Sequence, residues 1–161
     1  MKLYHGSIVE VRKPSLRYGR ENTDFGKGFY TTTQPDQAER WAKIREERSN
    51  ASHAVVSVYE IDDALLTNSE LQIREFHGVD ADWLNFVVKC RRNDAVKHDF
   101  DLVFGPVAND NVFLTVNLYE TGALDLQAAI AQLKPYKTYD QLSFHTERVI
   151  SQLNFVESYQ V

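Results

Sequence analysis

The stretch "DFGKGFYTTTQPDQAERWA", residues 24–42, decides how the chain is read. Gly26 and Gly28 flank Lys27, and Phe29 and Tyr30 lead into Thr31, Thr32 and Thr33. A run of aromatic and β-branched residues predicts a strand over 29–33. Pro35 suits the first turn of a helix, where its missing N–H costs nothing. Ala38, Trp41, Ala42 and Arg45 then recur at helical spacing with charged residues opposite, which predicts a helix over 35–48. The unit is a glycine turn, a strand and an amphipathic helix in immediate succession.

Strand patterns lie on both sides of this unit. "KLYHGS" (2–7) is a short strand, and "SIVEVRKPSLRYGRENTDFGKG" (7–28) is polar and turn-rich, a long loop or a set of short elements. "HAVVSVYEID" (53–62) alternates as a strand does, and "FDLVFGPV" (100–107) reads as a buried strand closed by a Gly-Pro turn. "DADWLNFVVKCRRN" (80–93) places Trp83, Phe86, Val87 and Cys90 at i, i+3, i+4 and i+7, an amphipathic helix with Asp80 or Asp82 as cap. "NVFLTVNLYETG" (111–122) fits either type and leans helical through Val112, Val116 and Tyr119. "LDLQAAIAQLK" (124–134) is helical, "QLSFHT" (141–146) a strand, "ERVISQL" (147–153) a short helix and "NFVESYQV" (154–161) a closing strand. Strands gather near both ends with helices between them, the order of an α+β fold rather than a doubly wound one.

Composition sets bounds on function. The 161 residues suit one domain over 1–161. A formal net charge of −5 excludes a strongly basic nucleic-acid footprint over the whole chain. The single cysteine, Cys90, excludes an internal disulfide and fits a reducing compartment. The start "MKLYHGSIVE" has no apolar core of a secretory signal, and no apolar run approaches the ~20 residues of a membrane span. A cytoplasmic, membrane-free protein is expected. His53, His77, His98 and His145 have no ligand spacing with cysteine or acidic residues, so no metal is expected. "RRNDAVK" (91–97) reads as a solvated helix end or as a contact for a partner or nucleic acid.

Taken singly, the conspicuous residues have ordinary readings. Gly26-Lys27-Gly28 is a flexible turn: it lacks the third glycine of a dinucleotide fingerprint and the Ser or Thr of a phosphate loop. "DFG" stands without the lysine and catalytic loop of a kinase. Together the motifs point elsewhere. "LYHGS" (3–7) and "FGKGFYTT" (25–32), with Trp41 eleven residues after Tyr30, resemble the N-terminal signatures of ADP-ribosyltransferases of the His-Tyr-Glu branch, which includes diphtheria toxin and poly-ADP-ribose polymerases. The segments "FDLVFGPVAND" and "QLSFHTERVISQLNFVES" are similar to a bacterial family of uncharacterised domains grouped with that superfamily, and this likeness covers nearly the full chain.

The resemblance implies a split β-sandwich of two small antiparallel sheets around an NAD cleft, with flanking helices. It implies NAD+ as co-substrate, no metal, and mono-ADP-ribosyl transfer to an unknown protein or nucleic-acid acceptor, as the toxin of a toxin–antitoxin pair or an effector with an antitoxin or immunity partner. A catalytically silent NAD- or ADP-ribose-binding module is the other class. The implied catalytic set is His5, Tyr30 and Gln141, and the implied NAD-binding set is His5, Gly6, Ser7, Lys27, Tyr30, Thr32 and Trp41. Tyr30 and Trp41 would clasp the nicotinamide between aromatic faces. Gly6 would offer its backbone to the carboxamide, His5 a hydrogen bond to a ribose, and Lys27 a charge near the diphosphate. Gln141, in "YDQLSF", stands where the branch has its glutamate, keeping the acceptor and losing the charge. Poly-ADP-ribose elongation is not expected from such a site. Asp140 and Glu147 are nearby acids ranked below Gln141, and Tyr139, two residues before Gln141, argues against an arginine acceptor.

Overall fold

The computed structural model describes residues 1–91, 98–108, 110–133 and 139–161. The described chain holds seven strands and five α-helices. β1 (Lys2–Ser7), β3 (Val55–Glu60) and β7 (Asn154–Gln160) make a three-stranded antiparallel sheet in the order β1-β3-β7. β2 (Phe29–Thr31), β6 (Asp140–Phe144), β5 (Leu102–Pro106) and β4 (Ile73–Glu75) make a second sheet in the order β2-β6-β5-β4. The class is α+β, as the order of elements implies. The expectation of two antiparallel sheets needs correction, because β4 runs parallel to β5. Between these strands the chain passes through α2 (Ala81–Arg91), and a helical crossover returns a strand parallel to its predecessor. β4 is the three-residue segment "IRE", too short to carry an alternating pattern.

Alternation along the strands builds the layers. Leu3 and Tyr59 of the first sheet meet Phe29, Leu102, Leu142 and Phe144 of the second in one buried cluster. The opposite face of the second sheet, carrying Val103 and the partly buried Tyr30, packs on Trp83, Leu84 and Val87 of α2, on Val112 and Val116 of α3 (Asp110–Glu120) and on Leu133 of α4 (Leu126–Leu133). α1 (Pro35–Ser49) covers the outer face of the first sheet, where Ala38 and Ala42 lie on Val56 and Val58. Helix α1 therefore packs behind β1, and the tyrosine ring faces the other helices.

Two carboxylates, buried Asp101 and half-buried Asp140, tie the elements together. Asp101 accepts from the Gln72 backbone N–H at 2.8 Å and the Thr146 hydroxyl at 2.6 Å and forms an ion pair with Arg148, fixing β4, β5 and the start of α5 (Glu147–Ile150). Asp140, at the start of β6, accepts from the Thr33 backbone N–H at 2.8 Å and the Gln34 side chain at 3.1 Å, and also bonds the Thr33 hydroxyl. It supplies negative charge at the N-terminus of α1, where Gln34 makes no side-chain cap of its own. Asp80 caps α2 through the Trp83 N–H at 2.9 Å. Most of "RRNDAVK" lies outside the described residues, and Arg91 closes α2.

Among the described residues, backbone hydrogen bonds join the two sheets at one bridge. Tyr4 N–H donates to Thr32 O and Thr32 N–H to Tyr4 O, each at 2.9 Å, and beyond this bridge β1 and β2 part. Gly6 lies just past it, under α1. A Cβ added there would stand 2.1 Å from Ala38 O and 2.8 Å from Ala42 N, both backbone atoms that cannot swing aside. Gly6→Ala is expected to destabilise the fold by about 2 kcal/mol or more through overpacking. Gly78→Ala, with nothing within 4 Å of its added Cβ, is the neutral control. Urea unfolding of both variants beside the wild type checks the contrast.

Candidate functional site

The site begins at the parting of β1 and β2. His5 Nδ1 donates to Tyr30 O at 2.7 Å, and the imidazole stacks on Phe29 with centroids 4.4 Å apart. That hydrogen bond fixes the tautomer, so Nε2 is the free acceptor. Burial, with a smaller contribution from the Arg45 charge, holds the His5 pKa down at about 4, and the ring is neutral at physiological pH. Gly6 follows on the same strand. In an antiparallel ladder the N–H and C=O of alternate residues point the same way. Tyr4 directs its pair toward β2, so Gly6 directs its own pair into the gap, and no hydrogen bond reaches either atom among the described residues. One free donor and one free acceptor lie side by side on a backbone that α1 holds rigid. Ser7 is buried at the end of the strand.

Tyr30 faces the opposite side of β2 from His5. Its hydroxyl accepts from the Phe25 N–H at 3.0 Å, donates to Gly26 O at 2.6 Å and lies 2.9 Å from the Thr23 hydroxyl. Burial raises the phenol well above the usual tyrosine range, so it stays protonated and clasps the 23–26 turn. Gly26 sits at φ +82°, the left-handed region that a glycine adopts without strain. Two histidines close the same loop from outside. His98 Nε2 bonds Phe25 O at 2.7 Å, His145 Nδ1 bonds Lys27 O at 2.9 Å, and the two rings are 4.5 Å apart, edge to face. Burial lowers His145 to about 4.

Gln141 shares its sheet face with Tyr30, since Tyr30 pairs with Ser143 and Gln141 lies two residues along β6. It is 3% exposed. Its Nε2 donates to Asp24 Oδ2 at 3.0 Å and to Pro106 O at 3.1 Å, and Oε1 has no hydrogen-bond partner among the described residues. Asp24 is the hub of this region. Besides Gln141 it accepts from the Ala108 N–H at 3.0 Å and from Arg91 Nε and an Arg91 terminal nitrogen at 3.0 and 2.5 Å. A carboxylate therefore stands beside position 141, contributed by the loop before β2 and neutralised by Arg91.

The remaining expected residues separate. Trp41 is half-buried on α1, and no ring contact joins it to Tyr30 among the described residues. Thr32 is consumed by the fold, its backbone by Tyr4 and its hydroxyl by Asp140 and Gln37. Lys27 pairs with Glu21 at 3.3 Å. Asp140 belongs to the start of α1 rather than to the site, and Glu147 opens α5. The structure thus brings His5, Gly6 and the Tyr30 backbone to one edge, and Tyr30 and Gln141 to one face. Sequence spacing gave no sign of Asp24–Arg91 or of the His98–His145 contact, whose members are 67 residues apart in the first case and meet only through the sheet. Among the described residues no group of His, Cys, Asp or Glu could hold a metal ion. A shallow cavity of about 620 Å³ lies elsewhere, between Asn85 and Lys89 of α2 and the turn at Gly122–Asp125.

The family profile described as "Protein of unknown function (DUF3990)" matches residues 1–155, and the chain belongs to that family. No curated protein and no solved structure matches the chain.

Two outcomes are expected of this geometry. Gln141→Glu sets a second carboxylate against Asp24 and removes the amide donor to it and to Pro106. It lowers stability at pH 7.5 and does so less at pH 5, where protonation of the new carboxyl relieves the repulsion. Paired urea titrations at the two pH values read this difference. For the wild type, His5 and His145 have folded pKa values near 4, below the ordinary 6.5, so the unfolded chain binds more protons between those limits. Their stabilisation is complete above pH 6.5 and is lost as pH falls to 4. Asp101, held at about 2 chiefly by its hydrogen bond from Arg148, adds a second loss as pH falls from 3.8 through 2. Unfolding free energy measured from pH 8 to 3 is expected to decline through the first window; a flat profile there would refute the neutral, buried histidines.

Proposed function

We propose that the gap between β1 and β2 binds NAD+ and that the protein transfers its ADP-ribose to an acceptor. The observation that carries this reading is the free Gly6 edge beside a neutral, rigidly held His5. A nicotinamide carboxamide carries one acceptor oxygen and an amide donor, and one residue's paired N–H and C=O match it. The "HGS" motif ends β1 and "GKGFY" leads into β2, the two strands that meet and part there.

Cleavage of the nicotinamide bond develops positive charge on the ribose, and a fixed acceptor or negative charge beside it lowers the barrier. Gln141 is suited to the first role. Its N–H groups are taken by Asp24 and Pro106, which holds the amide in one orientation and leaves Oε1 as its acceptor for a ribose hydroxyl. His5 Nε2 accepts from a second hydroxyl. The acceptor of ADP-ribose is a protein or nucleic-acid group, identified by incubating labelled NAD+ with cell extract and digesting separately with protease and nuclease.

One observation favours a second reading, a silent NAD- or ADP-ribose-binding module. Gln141 is almost fully buried, and the carboxylate next to it is already neutralised by Arg91. Calorimetry with NAD+ and mass-spectrometric detection of nicotinamide separate the two. The transferase reading expects NAD+ binding and nicotinamide release with extract present, with Gln141→Ala lowering release by about 100-fold or more while affinity changes little. Binding without release assigns the silent module, and absence of binding above ~1 mM NAD+ on folded protein sinks both.

A further inference from the structure

We infer that Lys13, Arg17, Tyr18 and Arg20, at the mouth of the β1–β2 gap, form a platform for single-stranded RNA, and that this RNA is the acceptor of ADP-ribose; the second half rests on the NAD+ reading above.

Topology fixes where the platform lies. β1 and β2 run antiparallel through the Tyr4–Thr32 bridge, so the Ser7 end of β1 and the Phe29 end of β2 bound the parted side. Residues 8–28 connect those two ends and therefore cross the mouth of the gap. The middle of this connection is anchored. Val11 and Leu16 pack against the core between the sheets, and the Val11 N–H donates to Ser57 Oγ at 2.9 Å. Ser15 caps the short helical turn Leu16–Tyr18 by accepting from the Arg17 N–H at 3.2 Å, and the Gly19 N–H closes it on Leu16 O at 3.0 Å. Gly19 then lies on the turn before β2: a Cβ added there would stand 3.0 Å from Gly28 O and 3.1 Å from Lys27 Cγ.

The side chains on this fixed loop run against the character of the molecule. Four of the chain's 18 basic residues fall within residues 12–20, with no acidic residue among them, in a protein of net charge −5. The flanking acids are engaged, Glu10 by Arg12 at 2.5 Å and Glu21 by Lys27 at 3.3 Å. The other three cations, Lys13, Arg17 and Arg20, are exposed. Covalent geometry keeps Arg17 within about 11 Å of Arg20 and about 14 Å of Lys13, the scale of a few nucleotides. Between them Tyr18 is 82% exposed, more than any other large apolar side chain among the described residues. Cations in a row around a solvent-facing ring are what holds a nucleic-acid strand, the charges tracking phosphates and the ring stacking on a base. An acidic peptide would answer the cations and leave the ring idle, and a membrane surface would call for a broader apolar face. Stacking needs an unpaired base, which RNA presents in single strands and loops. In transfer, a nucleophilic oxygen or nitrogen of the RNA bonds to the ribose C1′ as the bond from C1′ to nicotinamide breaks. Nicotinamide leaves neutral, and the proton of the RNA group goes to solvent.

The full chain is tested by fluorescence anisotropy with a fluorescein-labelled, mixed-sequence RNA strand of about 20 nucleotides, beside the same sequence as a duplex and a polyglutamate peptide. The single strand is expected to bind, weakening about 20-fold between about 50 and 200 mM salt as three phosphate contacts form in place of counterions. Arg17→Gln and Arg20→Gln each weaken binding by about 3-fold or more and reduce the salt effect to about 7-fold. Tyr18→Ala weakens binding by about 5-fold or more with the salt effect unchanged, and Tyr18→Phe retains the wild-type affinity. The substituted positions are exposed, and circular dichroism checks that each variant folds. Duplex and polyglutamate bind more weakly than the single strand. With labelled NAD+ added, label enters the RNA, and Tyr18→Ala lowers this incorporation while NAD+ affinity stays the same. RNA binding by a chain that binds no NAD+, or that labels protein in an extract but not RNA, upholds the platform and overturns the acceptor assignment. Polyglutamate or duplex bound as tightly as the single strand, full affinity in Tyr18→Ala, or no RNA binding at the low salt overturns the platform itself.

Discussion

The backbone bridge between Tyr4 and Thr32 is the constraint on which the rest of the molecule depends. It is the point where an all-antiparallel sheet carrying α1 meets a mixed sheet carrying α2, α3 and α4. On one side of it His5 reaches the Tyr30 carbonyl; on the other Thr32 hands the chain to Asp140 and the start of α1. Had β1 and β2 continued to pair, the Gly6 backbone groups would be spent on a ladder. Because the sheets diverge, no ladder takes them up among the described residues, whereas buried backbone groups are ordinarily paired.

Glycine at position 6 and alanines at 38 and 42 are one feature seen from two sides. Small residues on the helix and none on the strand allow the two backbones to approach within contact distance. That close approach makes the strand edge rigid and brings Arg45 along with it. The loop before β2 is secured differently. Phe25 is fully buried, the Tyr30 hydroxyl holds the turn, and Asp24 joins the loop to α2, β6 and Ala108 beyond β5. Such a loop is part of the core, and its glycines serve turn geometry and close packing: Gly28 lies against His145.

Much of this was legible in the residues. The strand and helix of the 24–42 stretch, the amphipathic spacing of Trp83 to Cys90 and the apolar run at 102–106 report local periodicity, which follows directly from which face is buried. The leaning of 111–122 toward helix is matched by α3. β4 escaped because three residues hold no period, and its parallel pairing depends on a crossover that no local pattern encodes. At the site, the motifs located His5, Gly6 and Tyr30 on converging strands, but they are silent on side-chain direction. That His5 and Tyr30 face opposite sides of β2, that Trp41 stays apart from Tyr30, and that Gln141 is bound to Asp24 are consequences of sheet divergence and of contacts across long stretches of chain.

The central claim is that the Gly6 edge is a binding surface for a carboxamide. Its most direct test is the backbone amide of Gly6 itself, followed by two-dimensional NMR as nicotinamide is added. The account predicts a saturable downfield shift of the Gly6 N–H, accompanied by the His5 ring protons and abolished by competing NAD+ at the same site. A Gly6 amide that keeps its position at saturating nicotinamide, with shifts appearing instead along the cavity between α2 and Gly122, would contradict it.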